Sequence, residues 1–96
     1  MNINQSIETR YVALAMNINQ SIETRYVGPT NHRGSRIIAT TPIGHKHTHA
    51  WDYALSGNEN HFAAAEALRA KLHWLSIIGG GSTRKGYVFV TSILGA

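Results

Sequence analysis

Twelve residues of this chain occur twice without a change. Met1–Val12 reads MNINQSIETRYV, and after Ala13-Leu14-Ala15 the same letters return as Met16–Val27. Identical segments have identical propensities, so a fold with one native place for this segment leaves the other copy surplus. The rest of the chain has to be arranged around that surplus. Identity with no drift points to a recent or deliberate duplication, with Met16 as the expected ordinary start.

Within the second copy, Ile22, Thr24 and Tyr26 alternate with Glu23, Arg25 and Val27, and the β-branched and aromatic content reads as a strand. It runs into the turn-rich stretch Gly28-Pro29-Thr30-Asn31-His32-Arg33-Gly34 and then into the apolar run Arg36–Thr41, so it is expected to form the first arm of a hairpin. The first copy leads only into Ala-Leu-Ala. Three fates are open to it: an N-terminal tail without order, a helix in which Ile7, Tyr11, Leu14 and Ile18 share a face and Ser6 caps, or an added strand. In the last case Ile7 to Val12 pairs with an edge of its own sheet or a neighbour's, and the product is a strand-swapped or edge-paired homo-oligomer. Competition is a further consequence. If copy one takes the place of copy two, the displaced segment becomes a loop insertion, which costs only roughly 0.6 kcal/mol per doubling of loop length. The chain would then be a two-state conformational switch.

The duplicated segment and spacer, residues 1–15, precede a single expected domain, residues 16–96, large enough for a modest core at 43% apolar content. The chain has no cysteine, which excludes a disulfide framework, thiolate catalysis and cysteine-based zinc sites. No apolar run is long enough to span a bilayer and no signal-peptide pattern opens the chain, so a cytoplasmic protein without membrane association is expected. The net charge is +4. Residues 1–15 carry only Glu8 and Arg10, so the excess belongs to the domain.

Arg36–Thr41 reads as a second strand closed by Pro42 and Gly44, and His45 to about Tyr53 as a third. Ser56-Gly57-Asn58-Glu59 is a capping-box pattern. It opens a helix to about His73, with Ala64, Leu68, Leu72 and Leu75 as the buried stripe and Glu66 and Arg69 outside. Trp74–Ile78 reads as a short strand, Gly79–Gly86 as a flexible loop and Tyr87–Ser92 as the last strand. The order β-β-β-α-β-β implies an α+β fold: a largely antiparallel sheet with one helix packed on one face.

The residues Thr24 to Asn31, Arg33-Gly34-Ser35-Arg36-Ile37, Glu59-Asn60-His61, Ala64-Ala65 and Gly86 to Val90 resemble a pattern found in small uncharacterised proteins encoded by bacterial phages and plasmids. The resemblance spans most of residues 16–96. It implies no activity. It supports Met16 as the ordinary start and makes the first fifteen residues the departure.

No acidic residue lies between Glu23 and Asp52, an interval that holds Arg25, Arg33, Arg36 and Lys46. With Arg84 and Lys85, these are expected to form a basic sheet face that binds nucleic acid, with Tyr26, Trp51 and Tyr87 as stacking platforms. Against this stands the simpler reading that +4 merely keeps a small domain soluble. His45, His47 and His49 recur at strand spacing and are candidate ligands for zinc, nickel or copper; a solvated strand face is the plainer account. Gly79–Gly86 superficially resembles a phosphate loop but is expected to lead into a strand, without a helix terminus. No nucleophile motif is present, so neither an enzyme nor a cofactor is expected. The leading expectation is a non-enzymatic nucleic-acid-binding accessory protein. The alternatives are a protein-interaction or self-assembling module and an engineered duplication in which two identical strands compete for one site.

Overall fold

The structure is a computed structural model that describes residues 20–92. Both ends of the sequence, including the whole first copy, lie outside the described residues, and so do the strand, helix and tail readings made for that copy.

The second copy forms strand β1 (Ser21–Val27). It is followed by β2 (Arg36–Thr40), β3 (Lys46–Ala50), helix α1 (Gly57–Lys71), β4 (Ile77–Ser82) and β5 (Gly86–Thr91). The strands make one fully antiparallel sheet in the order β3-β2-β1-β5-β4. The expected α+β class and element order are therefore observed.

The duplicated sequence fills the central strand. Ile22, Thr24 and Tyr26 pair with Phe89, Tyr87 and Ile37 across the two neighbours. Because strand side chains alternate, Ile22 and Thr24 share one face with Ile37 and Ala39 of β2, and all four are buried. Against that face lie Ala64, Ala65 and Leu68 of the helix, completing the fully buried core. The alanines on both layers let the helix sit close to the sheet. Leu72, Trp51, Trp74, Ile77 and Phe89 pack around this centre. Leu75, expected in the buried stripe, is 41% exposed, because the helix has ended before it. His73 adopts a left-handed conformation (φ 58°) that turns the chain out of the helix.

The helix start follows its sequence signal. Ser56 Oγ accepts from the Glu59 amide at 3.2 Å, and Glu59 Oε1 accepts from the Ser56 amide at 2.9 Å, a reciprocal capping box. One turn on, the fully buried Asn60 holds the loop from β3. Its Oδ1 accepts from the Asp52 amide, and its Nδ2 donates to the carbonyls of Asp52, Leu55 and Ser56. His61 then places Nδ1 2.7 Å from Thr24 Oγ1, tying helix to central strand. Glu59, Asn60 and His61, which stood out in the sequence pattern, thus each have a structural task.

The C-terminal hairpin departs from the sequence reading. Gly79, Gly80 and Gly81, expected in a flexible loop, lie inside β4 and pair with Val90, Phe89 and Val88. Pairing with an apolar strand overrides the poor strand propensity of glycine. Close approach also requires it: a Cβ on Gly80 would stand 2.6 Å from the Val88 carbonyl oxygen. The tight spot on β5 is Gly86, where a Cβ would fall 1.9 Å from the Thr24 carbonyl oxygen. Trp74 lies outside the strand, its amide donating to the Arg69 carbonyl.

Candidate nucleic-acid interface

The helix covers one face of the sheet, lying over β1, β2 and β3 and less over β5. The same alternation that buries Ile22, Thr24, Ile37 and Ala39 sends Glu23, Arg25, Arg36, Ile38, Thr40, Lys46 and Thr48 to the opposite face. That face is not covered by any described element. Register places these residues in cross-strand rows: Glu23 beside Thr40 beside Lys46, then Arg25 beside Ile38 beside Thr48, then Val27 beside Arg36 beside Ala50. Three of the six expected basic residues, Arg25, Arg36 and Lys46, are thus brought to one surface by three different strands. Glu23 is the only acidic residue on these strands, since Asp52, Glu59 and Glu66 lie in α1 or the loop before it.

Two shallow hollows mark this face. One of about 390 Å³ is lined by Arg33, Arg36, Gly34, Ser35, Thr48 and Ala50. Arg33 is carried there by a turn in which Thr30 Oγ1 accepts from the amides of His32 and Arg33. Arg36 is half-buried, with Nη1 donating to the Gly34 carbonyl at 3.1 Å; its Nε is buried without a hydrogen-bond partner among the described residues. The other hollow, about 210 Å³, joins Arg25 to Lys85 and Thr83, with Glu23 and Thr40 also in its lining. Lys85 reaches it because the β4–β5 turn is closed by Thr83, whose amide donates to the Gly86 carbonyl and whose Oγ1 accepts from the Gly86 amide. Arg84, the sixth expected residue, is exposed in the same turn but lines neither hollow.

The expected stacking platforms face the other way. Tyr26 follows Arg25 in the strand and so points to the helix side, where its ring meets Trp51 edge-on at 5.3 Å and its hydroxyl pairs with Ser35 Oγ at 2.9 Å. Tyr87 stands 4.6 Å from the His61 ring, and its hydroxyl donates to Asn58 Oδ1. The basic face carries Val27, Ile38, Val88 and Val90 in place of aromatics.

The histidine triplet is split. His47 and His49 lie opposite Ala39 and Ile37 on the helix side, half-buried, with Nε2 of His47 3.4 Å from Nδ1 of His49. His45 precedes β3, so strand alternation does not govern it; it sits exposed in the turn, its amide donating to Thr41 Oγ1. Among the described residues no three histidine or acidic side chains converge to hold a metal ion. Burial, the neighbouring His49 and the ammonium of Lys71 all lower the His47 pKa, and burial lowers that of His61.

Sequence reasoning missed a groove of about 540 Å³ on the helix side of the C-terminal hairpin, between Phe62 of α1 and the glycines of β4, with Ile77, Tyr87 and Phe89 in its lining. The signal was present: three consecutive glycines strip one strand of side chains beside the aromatic alternation of Tyr87 and Phe89. Comparison with protein-family models, with curated proteins and with solved structures found no match to this chain. Among the described residues no helix is long and apolar enough to cross a membrane.

Proposed function

We propose that the protein binds nucleic acid through the uncovered face of its sheet, by neutralising phosphates and without base stacking. One observation carries this reading: Arg25, Arg36 and Lys46 from three strands share a face on which Glu23 is the only acid among the described residues, with Arg33 and Lys85 at its two hollows. An apolar centre ringed by cations suits a sugar-phosphate backbone, and contacts of that kind carry little sequence information. With no aromatic ring on this face among the described residues, single strands gain no stacking term, so duplex and single strand are expected to bind alike.

Fluorescence anisotropy of labelled single- and double-stranded oligonucleotides tests this. If about four phosphates are neutralised, log K on duplex should fall against log salt with a slope of about −3.6. Arg25→Gln and Lys46→Gln should each flatten that slope by about one unit. Absence of binding at low salt, or binding indifferent to salt, would overturn the reading.

A second reading concerns the duplication. Everything β1 contributes to the fold comes from residues that copy one repeats letter for letter, including Ile22, fully buried, and Thr24, bonded to His61. Ile7 and Thr9 would meet the same partners in the same slot. On this reading the chain is one slot with two occupants, and their exchange is a conformational switch whose energy within the slot lies in the connections.

A further inference from the structure

The two edges of the sheet differ. The β3 edge carries Lys46, His47 and His49, the kind of polar and charged side chains that discourage strand addition. The β4 edge reads Ile-Ile-Gly-Gly-Gly-Ser, with no charge and no proline. Thr83 and Gly86 form a hydrogen-bonded pair at the turn. Antiparallel alternation then directs the amides of Gly81 inward to β5 and those of Gly80 and Ser82 outward. This outer edge borders the groove in which Phe62 is 46% exposed, 5.9 Å from the Phe89 ring. Among the described residues nothing pairs with this edge or fills the apolar groove beside it, and the glycines leave room above the strand.

We propose that the strand segment of copy one, Ser6–Val12, docks antiparallel along the outer edge of β4 as a sixth strand, with Ile7 and Tyr11 directed into the groove. The inference is independent of nucleic-acid binding and requires only that copy two hold the β1 slot, as it does here. Its first support is propensity. The same seven letters form β1, so the sequence adopts a strand elsewhere in this molecule.

The second support is where the chain leaves the sheet. Pairing makes β4 parallel to β1, and both begin at the end where the Thr91 amide donates to the Gln20 carbonyl and Ser92 meets Ser76. A strand antiparallel to β4 therefore finishes, at Val12, at the end where β1 starts. From Gln20 to the position beyond β4 is three strand spacings, about 14 Å. The seven residues Ala13–Asn19 reach up to about 23 Å when extended, enough to cross the ends of β5 and β4. The third support is alternation. Placing Ile7, Thr9 and Tyr11 toward the helix layer sends Glu8 and Arg10 to the face that already carries Glu23 and Arg25, so every residue keeps the kind of environment its twin has in β1.

Amide hydrogen exchange on the full-length chain tests the docking, with Thr9→Pro as the disrupting variant and Thr9→Val as the tolerated one. In the unmodified chain and in Thr9→Val, the Gly80 and Ser82 amides should exchange at least about tenfold more slowly than in Thr9→Pro, while β1 and β5 amides are alike in all three. The difference should not depend on protein concentration. Equal rates at Gly80 and Ser82 in all three chains would overturn the proposal. Protection that grows with concentration would overturn it in favour of a second copy as the occupant. Gain of protection at the Ser21–Val27 amides in Thr9→Pro would overturn it by showing that copy one, not copy two, fills the central slot of the unmodified chain.

Discussion

The proposed exchange of the two copies predicts that a charge placed at Ile22 will drive copy one into the central slot. This side chain is fully buried against the helix layer, opposite Phe89. An unpaired carboxylate there, or its neutralised acid without partners, costs more than about 4 kcal/mol. A small domain has total stability on the order of 5 kcal/mol, so Ile22→Asp without relief leaves a chain that is barely folded. Copy one offers relief. With Ile7 in the slot, the connection to β2 grows from the eight residues Gly28–Ser35 to the twenty-three residues Ala13–Ser35, a closure cost of about 0.9 kcal/mol. The turn held by Thr30 and Arg33 is no longer anchored at its start, which adds about 1 kcal/mol. Upstream nothing is lost, because Gln5 can offer Thr91 the carbonyl that Gln20 offers now. Ile22→Asp should therefore lower stability by about 2 kcal/mol plus whatever docking at β4 contributed, whereas the double variant Ile7→Asp/Ile22→Asp should lose the whole amount. Urea unfolding followed by circular dichroism measures both, with Ile7→Asp alone as the control that leaves β1 untouched. If Ile22→Asp is as damaging as the double variant, the copies do not exchange and the reasoning fails.

Two further outcomes are expected. Leu68→Ala, at a position 1% exposed in the centre of the core, should cost about 2–5 kcal/mol by urea unfolding; a loss near zero would mean that this helix face is not the packed one. Stability should fall as pH drops below the ordinary histidine value of about 6.5. His47 and His61 have lowered pKa values in the folded chain, so between the folded and unfolded values the unfolded state binds more protons and acid favours it. Urea midpoints at pH 7.5 and pH 5 check this, and His47→Gln should lessen the difference. A midpoint that stays level or rises toward pH 5 would contradict it.

The elements that sequence reasoning placed well are those whose signals are local. Ser56 and Glu59 announce a helix start through two hydrogen bonds three residues apart, and the alternation in β1 and β2 announces which side chains go inward. The failures have different causes. Gly79–Gly81 became strand because of what β5 offers across the ladder, a long-range partner that no window of neighbours reveals. The basic surface was half legible. Alternation alone would have separated Arg25 from Tyr26, and with it the cations from the stacking rings, had it been applied to both at once. His45 was grouped with His47 and His49 on the assumption that β3 had already begun, and one residue of boundary error was enough to misplace it.

What makes the duplication consequential is the position of the copied strand. A spare edge strand could at most displace one partner, and its loss would expose one ladder. β1 lies between β2 and β5 and supplies hydrogen bonds to both, so whichever copy holds the slot joins the β2–β3 pair to the C-terminal hairpin. The winner is decided by its connections, since its contacts are equal by identity. Copy two leads within eight residues into its hairpin partner, and this shorter closure favours it in the centre. Copy one keeps the same strand propensity with no slot left to fill, and the β4 edge is where an unsatisfied ladder, an empty groove and the reach of the spacer coincide. The two proposals, exchange at the centre and docking at the edge, are therefore linked: any ligand or variant that held copy one at β4 would stabilise copy two in β1, and any change that evicted copy two from β1 would remove the strand proposed to dock at β4.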